Sequence, residues 1–402
     1  MTWQYDVVVA GYLCVDMVPE FPHREPGTSI SNLLKPGRLI EIDGVGFSLG
    51  GVVANTGMAM SRFNRKVFLN GLIGNDLIGK IARDWLERYG LSEGIKITDR
   101  AGTAFGIVIA PPGVDRIFLE SPGCSKIFGI DFVDFEAISR CRLFHFGYPP
   151  LLRQFYRDEG KQLWSMFSRI QEMGVITSLD FSLPDSQSES GMQDWPQIMQ
   201  RVLPYIDIFV PSLEEVLQII RPDEYEKICS AIGNSDIIDE VPIAMIREIG
   251  RTIIECGVKI VFIKAGHRGS YLLAGDVSSL NVKAGFDLSA ADWNGRELWC
   301  NAYVADPEKV KNATGAGDTA VAAFLSAILD GENPDAAVKY AANAGRNSLY
   351  CLNIYDELSD WREMEKAIES EPIEITGFTL DDPLPQEQKE RIAEVYVRTR
   401  EC

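Results

Sequence analysis

Asn312-Ala-Thr-Gly315-Ala-Gly317-Asp318-Thr319 is the stretch on which the fold turns. Small residues from Thr314 to Gly317 run straight into an apolar helical pattern, Asp318–Leu329. Consecutive N–H groups at a helix N-terminus form an anion site, and absent side chains let a phosphate approach closely. Gly315–Ala320 also fits G-x-G-x-x-A, but a dinucleotide fingerprint should follow a strand and lead through one helix to another strand. Here Asp306-Pro-Glu-Lys precedes it and a second helix begins at Asp335, which argues against that motif. From spacing alone, Asp318 reads equally as a helix N-cap and as a carboxylate placed beside a bound anion.

Outward from this loop, short apolar runs read as buried strands: Asp6–Ala10, Val67–Ile73, Arg142–Phe146, Val175–Asp180, Ile206–Val210 and Lys259–Ile263. Helical patterns separate them at Asp76–Tyr89, Leu151–Met173, Leu213–Ile220 and Pro242–Cys256. That alternation predicts an α/β fold, a doubly wound, mostly parallel sheet flanked by helices. Two stretches break the rhythm. Tyr12–Leu49 holds short alternating segments such as Arg38-Leu-Ile-Glu-Ile, and Thr103–Leu119 alternates around Pro111-Pro-Gly113 as a hairpin would. Both predict a small β-sheet standing off the main body as a lid.

Two further glycine loops compete for a phosphate. Gly74-Asn-Asp-Leu-Ile-Gly79-Lys80-Ile81 fits G-x-x-x-x-G-K, but Ile81 stands where a P-loop needs a hydroxyl for Mg²⁺, and Asp76 reads as an N-cap. It is expected to be a strand–turn–helix junction. Leu49-Gly50-Gly51-Val-Val-Ala-Asn55 permits close backbone approach, and Asn55 offers both a donor and acceptors to a polar ligand. His145, between Phe144 and Phe146, reads as a buried structural residue.

Composition bounds the partners. At roughly 150 residues per domain, 402 residues allow one to three domains. A formal charge of −19 repels phosphate backbones and anionic lipid at long range, so neither nucleic acid nor membrane is an expected partner. A local cluster of N–H groups can still hold an anion. Eight scattered cysteines without a C-x-x-C pair, and only three histidines, suggest neither disulfide framework nor zinc site. With no basic leader and no run long enough to span a bilayer, a cytoplasmic location is expected.

Together the loops resemble the PfkB, or ribokinase-like, family of carbohydrate and nucleoside kinases. Gly50-Gly51…Asn55, continuing through Gly71-Leu-Ile-Gly74-Asn-Asp76…Gly79, is similar to its N-terminal signature. Asn312-Ala-Thr-Gly-Ala-Gly-Asp318-Thr is similar to its C-terminal one. The resemblance covers roughly Tyr5 to Leu352 and implies ATP-dependent phosphorylation of an alcohol. Residues 1–370 would form the kinase domain, with lid segments near 12–49 and 101–125, and 371–402 a C-terminal extension.

The resemblance also implies roles residue by residue. Asp318 would be the general base, and Gly315, Ala316 and Gly317 the anion hole. Asp16, Gly50, Gly51, Asn55 and the lid-strand Arg116 would bind substrate. Glu215 matches the Glu of N-x-x-E, linked to Mg²⁺ and phosphate positioning. Lys264, Gly266, Gly269 and Thr314 would lie beside the nucleotide, and the helix around Asn343 and Asn347 would complete the adenine pocket. There are departures: Ser212 replaces the Asn of N-x-x-E, Lys264 the usual Thr, and Asn312 an Asp associated with a monovalent cation. The last weakens the expectation of K⁺ dependence.

Apolar Val52 and Val53 beside Gly50-Gly51 favour a neutral sugar or polyol over a sugar phosphate. Phe47, Phe105 or Phe118 stacking on a base would instead suit a nucleoside. A catalytically weak relative acting as a binding or assembly module is the remaining alternative. The alternating lid segments also suggest pairing with a second subunit's lid.

Overall fold

The computed structural model describes residues 3–21, 36–37, 39–109, 117–232, 236–283 and 285–370. Arg116, the Pro111-Pro-Gly113 turn and the 371–402 extension lie outside the described residues.

Among the described residues, thirteen strands are formed in two sheets: β1 (Tyr5–Gly11), β2 (Cys14–Glu20), β3 (Gly44–Gly50), β4 (Val67–Gly74), β5 (Ile95–Thr98), β6 (Phe105–Ile109), β7 (Ile117–Ser121), β8 (Cys141–Gly147), β9 (Ile176–Asp180), β10 (Ile208–Phe209), β11 (Ile260–Lys264), β12 (Ser270–Ala274) and β13 (Glu297–Cys300). The large sheet runs β13-β12-β11-β10-β9-β8-β1-β4-β5, parallel from β11 to β5. Hydrophobic runs drive its centre: Val7 and Val9 face one layer of helices and Val8 the other, all fully buried. Each such side chain contributes about 1.5–3 kcal/mol on burial. The six expected central strands form, with ends displaced by one or two residues.

Two outer strands, β12 and β13, join antiparallel and are absent from the sequence reading. Their apolar runs are short, β12 follows the Gly266–Gly269 turn directly and β13 follows only two short helices, so no βαβ rhythm announces them. The polar segment after Arg221 contains the helix Pro222–Ile232.

The chain leaves β1 for β4 and β5 on one side and returns to β8 and β9 on the other. Ligand crevices of open α/β sheets lie at the carboxyl ends of strands where the order reverses. Gly11 and Gly147 pair at those ends of β1 and β8. A Cβ on Gly11 would sit 2.2 Å from the Gly147 carbonyl oxygen, so the two strands close tightly there.

The small sheet runs β3-β2-β6-β7; β2 pairs antiparallel with β3 and parallel with β6, and β6 antiparallel with β7. Asp16, Ser48, Gly106 and Glu120 align across it on one face. Phe47, Met17, Ile107 and Leu119 align on the other, with Phe47 41% and Leu119 51% exposed. Phe47 therefore points away from Asp16. Phe105 pairs with Val15, which puts it on the same face as Phe47. Neither can stack on a base held beside Asp16.

Candidate active site

The helix that follows the decisive loop spans Ala316–Leu329, two residues earlier than expected. Gly315, not Asp318, is its N-cap, at φ +79°, a left-handed conformation that favours glycine. Asp318 therefore lies in the first turn, where its side chain is free of capping and points inward, 5% exposed. Its Oδ2 accepts from Asn55 Nδ2 at 3.0 Å and its Oδ1 from Thr56 Oγ1 at 3.2 Å. The Tyr148 hydroxyl donates to the same Oδ1. Burial, and then the Asp318 charge, push the Tyr148 phenol well above its ordinary range, so it stays a donor.

Asn55 is carried by the helix Gly51–Arg62. Gly51 begins it at φ +82°, and a Cβ there would lie 2.4 Å from the Tyr12 carbonyl oxygen, to which Val53 N donates. Gly50 leaves no more room: a Cβ would lie 2.4 Å from Asp16 Oδ2. On the other side, a Cβ on Gly106 would lie 2.7 Å from Asp16 Oδ1. The Asp16 carboxylate thus occupies a slot between two glycines. Burial, reinforced by Glu120, raises it to about 6. Among the described residues, Asp16, Gly50, Gly51, Asn55 and Asp318 form one contiguous assembly.

A second group lies behind Asp318. Lys264, at the end of β11, places Nζ 2.8 Å from Asp180 Oδ1 at the end of β9. Burial works against the Lys264 charge, but Asp180, Glu215 and Asp318 more than offset it and hold the ammonium above its ordinary range. Three carboxylates share this one cation. Burial and the surplus negative charge therefore raise Asp180 to about 6 and Glu215 to about 7. Ser212 caps the helix Leu213–Ile220 in a reciprocal box: its N–H donates to Glu215 Oε2 at 2.7 Å and its hydroxyl accepts from Glu215 N–H. Ser212, where the family resemblance expects Asn, thus serves as a helix cap. His145 is fully buried and pushed down to about 3 by burial and then by Lys264, which fits a neutral structural side chain.

Next to Gly317 opens a pocket of about 390 Å³, whose lining includes Lys264, Gly266, Gly269, Tyr303, Gly345 and Arg346. A Cβ on Gly317 would come 3.9 Å from Lys264 Nζ, so the ammonium flanks the glycine loop. Asn343 and Asn347 are not in the lining. Arg346 donates to both their Oδ1 atoms, and its guanidinium lies 5.7 Å from the Tyr303 ring centroid. They position Arg346, which lines the pocket from that helix. Thr314 lies in the turn before the helix, its N–H donating to Asn312 Oδ1 at 2.9 Å.

The P-loop lookalike is a strand–turn–helix junction. Asp76 Oδ1 accepts from Gly79 N at 2.7 Å and Oδ2 from Thr103 N at 2.8 Å. Among the described residues no group of three His, Cys, Asp or Glu side chains is arranged to hold a metal ion, and no helix is long and apolar enough to cross a membrane.

Thr56, Tyr148 and Asp180 are site residues that sequence reasoning missed. Asp180 and Tyr148 sit at or just past the carboxyl ends of β9 and β8. That position relative to the expected strands was the available signal.

The doubly wound sheet with its appended small sheet is the ribokinase fold. Ribokinase from Arabidopsis thaliana, complexed with ribose and ATP, aligns with a TM-score of 0.64 at 17% identity, over 91% of this chain and 99% of that one. Ribokinase from Thermotoga maritima aligns at 0.65 and 16% identity, over 91% of this chain and 100% of that one. In sequence, the model of the pfkB family carbohydrate kinases matches residues 7–356, and the chain belongs to that family. Its relatives include an uncharacterized sugar kinase of Archaeoglobus fulgidus, 26% identical over 278 residues, covering 69% of this chain and 88% of that protein. Probable fructokinase-2 of Arabidopsis thaliana is 23% identical over 330 residues, covering 81% of this chain and 82% of that protein.

Proposed function

We propose that this carbohydrate kinase transfers the γ-phosphoryl group of ATP to a hydroxyl of a small neutral sugar or polyol, with Asp318 as general base. The observation that carries this reading is the buried Asp318 carboxylate, oriented by Asn55, Thr56 and Tyr148 one turn into a helix that opens with a glycine loop.

ATP fits the site: the pocket beside Gly317 is lined largely by glycine, alanine and apolar atoms, and Lys264 offers a cation at the loop. The adenine would lie toward Tyr303 and Arg346 and the phosphates toward Gly315–Gly317. The substrate would lie against Asp16, Gly50 and Gly51, under the small sheet acting as a lid. Asp318 accepts the proton of the attacking hydroxyl as its oxygen bonds to Pγ; the bond from Pγ to the β-bridging oxygen breaks, and ADP leaves. The charge spread over the transferring oxygens is met by the loop N–H groups and Lys264.

Mg²⁺ keeps several waters and takes few protein ligands, so the lone carboxylate of Glu215 suits an indirect contact. When bound, the ion neutralises charge on the phosphate oxygens. Asn312 donates no carboxylate to a K⁺ site. On the small sheet, the exposed Phe47–Met17–Ile107–Leu119 row suits pairing with the same row of a second copy.

An ATP-consumption screen over neutral sugars, polyols, sugar phosphates and nucleosides tests the reading, with Asp318→Asn as blank. Turnover confined to neutral sugars or polyols and lost in the variant by about 10²–10⁴-fold is expected. Unchanged turnover in Asp318→Asn would remove the base assignment.

A further inference from the structure

We propose that Tyr148 is a positioning residue for phosphoryl transfer, fixing the reactive rotamer of the Asp318 carboxylate; the inference rests on reading Asp318 as the base. Tyr148 has φ 62° and ψ 63°, a left-handed conformation that costs an L-residue energy and persists only where its surroundings impose it.

Here they do. Just before it, Gly147 is pressed against the helix Gly51–Arg62: a Cβ on Gly147 would fall 2.6 Å from Val52 Cγ2. The Gly147 carbonyl accepts from Tyr12 N at 3.2 Å. Just after it, Pro149 and Pro150 are buried, and Leu151 N donates to the Tyr148 carbonyl at 2.9 Å. With its backbone pinned on both sides, the side chain reaches the cleft and its hydroxyl meets Asp318 Oδ1.

The consequence lies in the lone pairs of Asp318. A carboxylate offers about four acceptor positions. Thr56 and Tyr148 take two on Oδ1 and Asn55 takes one on Oδ2, which leaves a single direction for a substrate hydroxyl. Without Tyr148 the carboxylate gains a second open direction and the freedom to turn. The other charged groups facing this cluster are Lys264 from β11, Asp180 from β9 and Glu215 from the helix Leu213–Ile220. Lys264 is bonded to Asp180, so it does not replace the phenol as a donor to Asp318.

The test is steady-state kinetics of the full chain, with ATP and the preferred sugar over about pH 5–9. It compares the native protein with Tyr148→Phe, Thr56→Val and Asp318→Asn. Tyr148→Phe keeps the ring and is expected to bind ATP normally, to lose about 10-fold in kcat, and to keep KM for the sugar within about 2-fold. Thr56→Val, which strips the same oxygen, should likewise lower kcat and leave KM for the sugar nearly unchanged.

A Tyr148→Phe enzyme with native kcat would overturn the proposal. So would a raised sugar KM at unchanged kcat, which would make Tyr148 a sugar contact. An active Asp318→Asn enzyme would overturn the base reading itself; an inactive one beside a native-like Tyr148→Phe removes the Tyr148 inference alone.

Discussion

Asn55 Nδ2 donates a 3.0 Å hydrogen bond to Asp318 Oδ2 across 263 positions of sequence. The bond ties the helix that starts at Gly51 to the one that starts at Ala316, so the two glycine-loop motifs meet at one carboxylate. Asn55→Ala is expected to lower kcat by about 10-fold while changing the ATP KM little. Steady-state kinetics with each substrate varied in turn checks this, and a change confined to the sugar KM would contradict it.

Gly317→Ala separates stability from function. The new methyl would meet Lys264 at ordinary contact distances of 3.7–3.9 Å, and alanine stabilises a helical position by about 0.5–1 kcal/mol over glycine. The thermal midpoint should hold or rise while the KM for ATP increases, because the methyl occupies space a phosphate would need. Unchanged ATP affinity would move the phosphates elsewhere.

Gly50→Ala should do the reverse. Its Cβ would stand 2.4 Å from Asp16 Oδ2 and 2.8 Å from Cys14 Sγ, so the carboxylate must leave its slot. A cost of about 1–3 kcal/mol in stability is expected, with a raised sugar KM and a nearly native ATP KM. Urea denaturation and kinetics on the same preparation measure both.

Asp16 and Asp180 are raised from 3.8 to about 6, and Glu215 from 4.5 to about 7. The folded chain thus binds protons in this window that the unfolded chain releases. Stability attributable to these groups is present at the acid end, falls as pH rises from about 4 to 7, and then levels. Lys264, raised above 10.5, contributes stability that is lost only at still higher pH. Asp76 and Glu297, held low by hydrogen bonds that outweigh burial, act oppositely below about pH 4.5. Urea midpoints across the window should show the fall, and Asp180→Asn should flatten it. An equal slope in that variant would exclude Asp180 as a source.

Phe47→Asp places a charge at the β3 end of the apolar row of the small sheet. If that row joins two copies, light scattering should show the native chain as a dimer and the variant as a monomer at the same concentration. A native monomer would remove the pairing.

How far the site could be read before folding depends on the kind of residue. Asp318, Asn55 and the glycines sit in compact motifs where local spacing carries the chemistry. Thr56 looked like any helical threonine, and Tyr148 like the residue before a Pro-Pro turn. Asp180 looked like a strand end. Their roles arise from contacts 84 to 262 positions away, such as Thr56 to Asp318, 262 apart, and Lys264 to Asp180, 84 apart. Asn343 and Asn347 lie on a helix that lines the pocket but outside the lining itself, and a helix's rotation about its axis is less legible in a sequence than its existence.

By itself the sequence determined the doubly wound layering, through apolar runs that must be covered on both faces. It also determined the glycine loop with its acidic residue, because φ +79° at Gly315 favours glycine. Tertiary structure alone decided that Gly315 caps the helix, which frees the Asp318 side chain. It alone decided that Lys264 answers three carboxylates, and that a strained Tyr148 completes the hold on Asp318. These are properties of distance and burial, and a linear pattern contains neither until the strands have closed.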